Sequence, residues 1–113
     1  MQKRYRLTNS RSFDYLYRKG TCVHDGLLVL YYAPSNRGMR VGFSVSKKVG
    51  KSVVRNKTKR RLKEAFRKHI PEIKHGFNYL IVARPQLAEC DFHEIEERLV
   101  SLLAKAGMTT EVA

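Results

Sequence analysis

An α+β domain is the fold this sequence predicts, on three observations. Apolar, β-favouring runs occur at Leu27 to Ala33, Met39 to Lys47 and Phe77 to Ala83. Apolar residues at helical spacing mark three other stretches, opening near Asn9, Ser52 and Asp91. Their order along the chain is helix, three strands, helix, strand, helix, which fits a single sheet with one face covered by helices.

Each element follows from local chemistry. Thr8, Asn9 and Ser10 supply N-cap candidates, Phe13, Leu16 and Tyr17 recur at i, i+3 and i+4, and Gly20 closes a helix of about residues 9 to 19. Thr21 to His24 is β-compatible and set off by Gly26, so it reads as a short first strand. Leu27 to Ala33 is the second strand, and Pro34 to Gly38 is a five-residue turn. In the third strand Val41, Phe43 and Val45 alternate with Gly42, Ser44 and Ser46, and the second and third strands together read as a hairpin. Gly50 breaks the chain, Ser52 is placed to cap, and Val54, Thr58, Leu62, Ala65 and Phe66 line one face of a long helix that Pro71 ends after Ile70. Phe77 to Ala83 is a fourth strand, stopped by Arg84-Pro85. Asp91 followed by Glu94 has the spacing of a capping box. Beyond it Phe92, Ile95, Leu99, Leu102, Leu103 and Ala106 form a buried stripe, and Gly107 ends the helix.

With 113 residues and a mass of 13.1 kDa, residues 1–113 read as one domain, long enough to bury roughly two-thirds of its unfolded surface. Six Tyr and five Phe in a chain that is 42% hydrophobic argue against a disordered tail. No apolar run approaches the ~20 residues of a membrane span. The start, Met1 to Arg6, is basic (Arg4, Arg6) without the apolar core of a signal peptide and runs straight into helix signals, so the cytoplasm is the expected compartment. Cys22 and Cys90 are far apart, and His24, His69, His75 and His93 lack ligand spacing, so neither a metal site nor a cysteine nucleophile is expected.

Charge carries the functional signal. Between Lys47 and Lys68 eleven Lys and Arg residues face one acid, Glu64, giving +10 of the chain's net +13. A solvated helix normally alternates signs to gain i,i+4 pairs, whereas like charges at that spacing cost stability. A one-signed surface of this kind fits a polyanion, RNA or DNA. On a helical wheel Arg55, Lys59 and Lys63 border the apolar face, Asn56, Arg60 and Arg67 lie further round, and Lys57, Arg61 and Lys68 take the remaining edge. The Asn56 amide both donates and accepts, which suits a loop contact, a base edge, a metal-bound water or plain solvent.

Gly42-Phe-Ser-Val-Ser-Lys-Lys-Val-Gly50, followed by Val54-Arg-Asn-Lys-Thr-Lys-Arg-Arg-Leu-Lys-Glu64, closely resembles the bacterial ribonuclease P protein component, known for an arginine-rich RNR segment after a Ser-Lys-Lys strand end. The resemblance extends to Arg6-Leu7, Phe13, the Leu28 to Tyr31 strand and Leu80 to Arg84, and so covers nearly the whole chain. It implies an αβββαβα fold with one sheet of about four strands and a left-handed β-α-β crossover, opposite to the usual hand. It also implies a subunit of an endoribonuclease, in which a catalytic RNA removes the 5′ leader of precursor tRNA and the protein assists. The RNR segment maps onto Arg55, Asn56, Lys57, Lys59, Arg60, Arg61 and Lys63, as contacts to RNA phosphates. A leader-binding cleft between the first helix and the sheet maps onto Phe13, Tyr17 and Tyr31, with Lys47 and Lys48 at its basic end. Aromatic faces there stack on unpaired bases while ammonium groups follow phosphates. Phe13 suits core packing as well as stacking, and the phenol of Tyr17 favours a solvent-facing role. Lys57 and Lys63 stand where the family often has arginine, which keeps the charge and loses the planar phosphate fork.

No constellation in the chain is suited to cutting a phosphodiester bond, so no catalytic residue and no protein metal site is assigned. Asp91, Glu94, Glu96 and Glu97 crowd a helix start, where capping accounts for them. Chemistry is expected of the RNA and its Mg²⁺ ions, which the RNA and substrate mainly bind. The expected partners are the catalytic RNA and precursor tRNA, with no membrane and no obligate protein partner. A ribosomal-type RNA-binding protein and an RNA chaperone are the alternatives, and neither needs the Ser-Lys-Lys to RNxxKR spacing.

Overall fold

A computed structural model describes residues 5–7 and 9–110. Thr8, offered above as a cap, and the basic Arg4 lie outside the described residues. The elements are α1 (Ser10–Lys19), β1 (Thr21–His24), β2 (Leu28–Pro34), β3 (Arg40–Val45), α2 (Ser52–Lys68), β4 (Phe77–Ala83) and α3 (Phe92–Lys105). Short 3₁₀ turns follow β3 at Lys47–Val49, α2 at Ile70–Glu72 and β4 at Pro85–Glu89. The predicted order αβββαβα is the observed one.

Asn9 caps α1 by accepting from the Arg11 amide at 2.9 Å. Gly20 ends the helix, with ordinary φ of −72°. Its lack of a side chain serves close approach, since a Cβ there would stand 2.5 Å from the Leu16 carbonyl oxygen. β1 and β2 form an antiparallel hairpin, whose turn is tied by Asp25 accepting from the Leu27 and Leu28 amides at 2.7 and 2.8 Å. The capping box at the start of α3 is present, with the Glu94 amide donating to Asp91 Oδ1 at 2.9 Å and the Asp91 amide to Glu94 Oε1 at 3.3 Å. Gly107 takes the left-handed conformation (φ 74°) that favours glycine after a helix.

Five expectations need correction. The second and third strands are not a hairpin, because the sheet order is β1-β2-β4-β3, with β4 antiparallel to β2 and parallel to β3. β4 is apolar on both faces, Tyr79, Ile81 and Ala83 on one and Leu80 and Val82 on the other, so it gains most at the centre. Helices cover both sheet faces and not one. α2 and α3 pack on Leu28, Leu30, Val41, Phe43, Tyr79 and Ile81, while Leu16 of α1 packs with Ala33 and Leu80 on the other side. Ser52 does not cap α2, whose N-cap is Lys51 without a side-chain bond. At its far end α2 stops at Lys68, and Pro71 lies in the 3₁₀ turn beyond. Finally, Val54 is exposed, although Thr58, Leu62, Ala65 and Phe66 of the same stripe are buried. The Thr58 hydroxyl is accommodated there by donating to the Val54 carbonyl at 2.9 Å.

Candidate nucleic-acid interface

The sheet face under α1 is built in three rows, set by the strand register. Tyr31, Leu80 and Gly42 form the middle row, Val29, Val82 and Ser44 the next toward the end of β3, and Ala33, Asn78 and Arg40 the row on the other side. α1 sits astride the middle row. Gly42 makes this seat possible, because a Cβ there would stand 2.3 Å from Phe13 Cε1 and 2.8 Å from its Cζ. Phe13 is half-buried against Leu7, Leu16 and Leu80, so it packs and still borders the open side.

Tyr17 leaves the core, 45% exposed, and its ring meets that of Tyr31 edge-on with centroids 5.0 Å apart. Burial and the adjacent Cys22 side chain push the Tyr31 hydroxyl above its ordinary pKa, with Arg84 opposing. The Tyr31 phenol is therefore a neutral donor at physiological pH. Beside the two rings the half-buried row Val29, Val82 and Ser44 lies on the flank of α1 that faces Lys47 and Lys48, both exposed on the turn after β3.

The cations of α2 divide into two sets. Three have internal partners: Arg61 donates from Nη1 to the Cys90 carbonyl at 2.9 Å, Arg67 pairs with Glu64 one turn away, and Lys68 Nζ lies 2.8 Å from Glu96. Arg61, expected among the RNA-facing cations, thus holds α2 to the segment before α3. Among the described residues no ion pair involves Lys57, Lys59, Arg60 or Lys63. Arg55 is half-buried along the border of the helix, with its Nε shut off from solvent and without an acceptor among the described residues. Asn56, Lys57 and Arg60 are exposed.

Lys59 and Lys63 reach toward α1. With Arg6 and Phe13 they line a pocket of about 220 Å³, floored by Val41, Gly42 and Phe43. Burial, then the charges of Lys59 and Arg6, lower the Lys63 pKa, so the three cations repel one another in a partly desolvated place. An anion in the pocket relieves that repulsion. The stripe on α2 and the aromatic wall of α1 therefore meet at Phe13, a junction that linear order does not reveal. Sequence reasoning left Arg6 and Gly42 out of the site. A glycine inside a strand of β-branched and aromatic residues was the available signal, because it marks a close approach.

The acids lie elsewhere. Asp91 and Glu94 cap α3, and Glu96 accepts from Lys68 and meets His69 Nε2 at 3.0 Å. Among the described residues no group of three or more His, Cys, Asp or Glu side chains is arranged to hold a metal ion. Nor is any described helix long and apolar enough to cross a membrane.

Comparison with known proteins places these features in a family. A family model described as Ribonuclease P matches residues 1–107. The ribonuclease P protein component of Caldanaerobacter subterraneus subsp. tengcongensis is 40% identical over 111 residues, covering 97% of this chain and 96% of the relative. That of Thermoanaerobacter sp. strain X514 is 43% identical over 108 residues, covering 95% and 93%. Among solved structures, the Staphylococcus aureus RNase P protein superposes with a TM-score of 0.85 at 31% identity, covering 92% of this chain and 96% of the other. The Thermotoga maritima RNase P protein superposes with a TM-score of 0.81 at 30% identity, covering 88% and 96%.

Proposed function

This chain belongs to the ribonuclease P protein family, and from that premise we propose that it grips the single-stranded 5′ leader of precursor tRNA while its α2 cations neutralise RNA phosphates. Membership makes the chain a protein subunit of an RNA-cleaving ribonucleoprotein, with ribonuclease P RNA as its partner and tRNA processing as its task. The finer reading rests on one observation. The exposed Tyr17, edge-on to Tyr31, stands on the same helix as Phe13, whose ring borders the pocket of Arg6, Lys59 and Lys63. Stacking surface next to clustered cations is what an unpaired RNA strand requires.

In this reading the leader bases lie along the flank of α1 that carries Tyr17, with Lys47 and Lys48 beside the phosphates. Lys59, Lys63, Arg60 and Lys57 supply charge toward RNA backbones, and Arg55 and Asn56 supply hydrogen bonds. Lysine at positions 57 and 63 gives long-range attraction without a bidentate fork. Hydrolysis is assigned to the RNA with its Mg²⁺ ions, whose binding the protein favours by offsetting phosphate repulsion. The carboxylates already committed to caps and to His69 and Lys68 fit that division of labour.

The deciding experiment is precursor-tRNA cleavage by ribonuclease P RNA at low Mg²⁺, with and without this protein. Turnover and substrate affinity rise when it is added. Unchanged values would remove the proposal.

A further inference from the structure

The geometry points to a second nucleotide-binding groove on the opposite flank of α1, which takes an unpaired nucleotide of an RNA chain. It rests on the family's RNA partnership and not on the leader-cleft assignment. Its floor is the third row of the sheet face, Ala33, Asn78 and Arg40. Two contiguous cavities of about 590 and 170 Å³ lie over that row and share Ser12, Pro34 and Asn78 as walls. Together they have the size of small-ligand sites, roughly 300–1,000 Å³.

The groove repeats the chemistry of the other flank with different residues. Tyr15, two residues before Tyr17, is 54% exposed and lines the narrower cavity with Arg11. Arg37 and Arg40 line the wider one. The loop that presents Arg37 is tied down, since the Ser35 hydroxyl donates to the Gly38 carbonyl at 3.0 Å and accepts from the Arg37 amide at 3.2 Å. Among the described residues none of these three arginines forms an ion pair.

Asn78 stands where the two cavities meet. Its Oδ1 is shut off from solvent, with no donor among the described residues. Guanidinium forks match phosphate geometry, and a phenol ring stacks on any base. A peptide of Asp and Glu satisfies the arginines and leaves the exposed Tyr15 ring without a stacking partner, so a nucleotide fits the groove better.

The nucleotide comes from the catalytic RNA or from precursor tRNA, and two binding arms separate them. Tyr15→Ala and Arg37→Ala proteins are titrated with ribonuclease P RNA alone, and as assembled holoenzymes with precursor tRNA. Both residues are exposed, and circular dichroism verifies the fold. Tyr15→Ala lowers affinity in one arm by about 5- to 150-fold, the worth of one stacked base. Arg37→Ala flattens the salt slope in that arm by about 0.7. The affected arm names the source. Both arms within about twofold of wild type would overturn the inference. So would a Glu-rich peptide that perturbs the Asn78 side-chain amide resonance where an unpaired oligonucleotide does not. Tyr17→Ala, run in parallel, separates failure of this groove from failure of the leader cleft.

Discussion

Replacing Gly42 by alanine puts a methyl group where the Phe13 ring now lies. The new Cβ would meet Cε1 at 2.3 Å and Cζ at 2.8 Å, with Leu7 Cβ at 3.4 Å. Ordinary carbon contact begins near ~3.5 Å, so the ring must retreat by about 1.2 Å. Gly42 has no positive φ, and alanine in a strand gains about 0.5–1 kcal/mol over glycine. Overpacking opposes this with about 1–3 kcal/mol. The ring is held by Leu16 and Leu80, both buried, so overpacking prevails and the net loss is about 1–2 kcal/mol. In urea, with a slope of roughly 1–3 kcal/mol/M, the midpoint falls by about 0.5–1 M. The same substitution in a Phe13→Ala background has no ring to displace and is neutral or stabilising. Equal losses in the two backgrounds, or a midpoint at or above wild type, would refute the account of how α1 is seated.

Three further outcomes follow from the charges. Lys59→Ala with Lys63→Ala reduces the slope of log affinity against log salt for RNA by about 1.4–1.8, measured by titration at several salt concentrations. Arg61→Ala leaves that slope unchanged and costs stability instead, about 1.5–3 kcal/mol by chemical denaturation, because the Cys90 carbonyl loses a charged donor. His69 is held above its ordinary pKa by hydrogen bonding to Glu72, then Glu96, with burial opposing. A raised folded pKa stabilises fully below the unfolded value near ~6.5, and that contribution disappears as pH rises through the folded value. Thermal melts from mildly acidic to mildly alkaline pH therefore show a fall in Tm that His69→Ala lacks.

The parts of the fold legible in the sequence are those fixed by neighbours in the chain. Asp91 and Glu94 announce α3 because both halves of a capping box lie within one turn. The apolar character of Phe77 to Ala83 on both faces announces a buried strand, but not its neighbours. The link between β2 and β3 has turn chemistry, and a hairpin is what turn chemistry alone suggests. β4, arriving later in the chain, takes the place between them because its two apolar faces need cover on both sides. The candidate site divides the same way. Its charge is visible in composition, yet which cations stay unpaired depends on contacts such as Arg61 with Cys90, 29 residues apart. The meeting of Phe13 with Gly42, Lys59 and Lys63 is equally non-local.

The central claim is that α1 and the sheet hold the leader, and one ratio tests it most directly. Affinity for precursor tRNA is divided by affinity for mature tRNA, for holoenzymes assembled with wild-type and Tyr17→Ala protein. Loss of one stacked base lowers precursor binding by about 5- to 150-fold and leaves mature tRNA binding unchanged, so the ratio falls by that factor. An unchanged ratio, whether both affinities hold or both fall together, would contradict the claim.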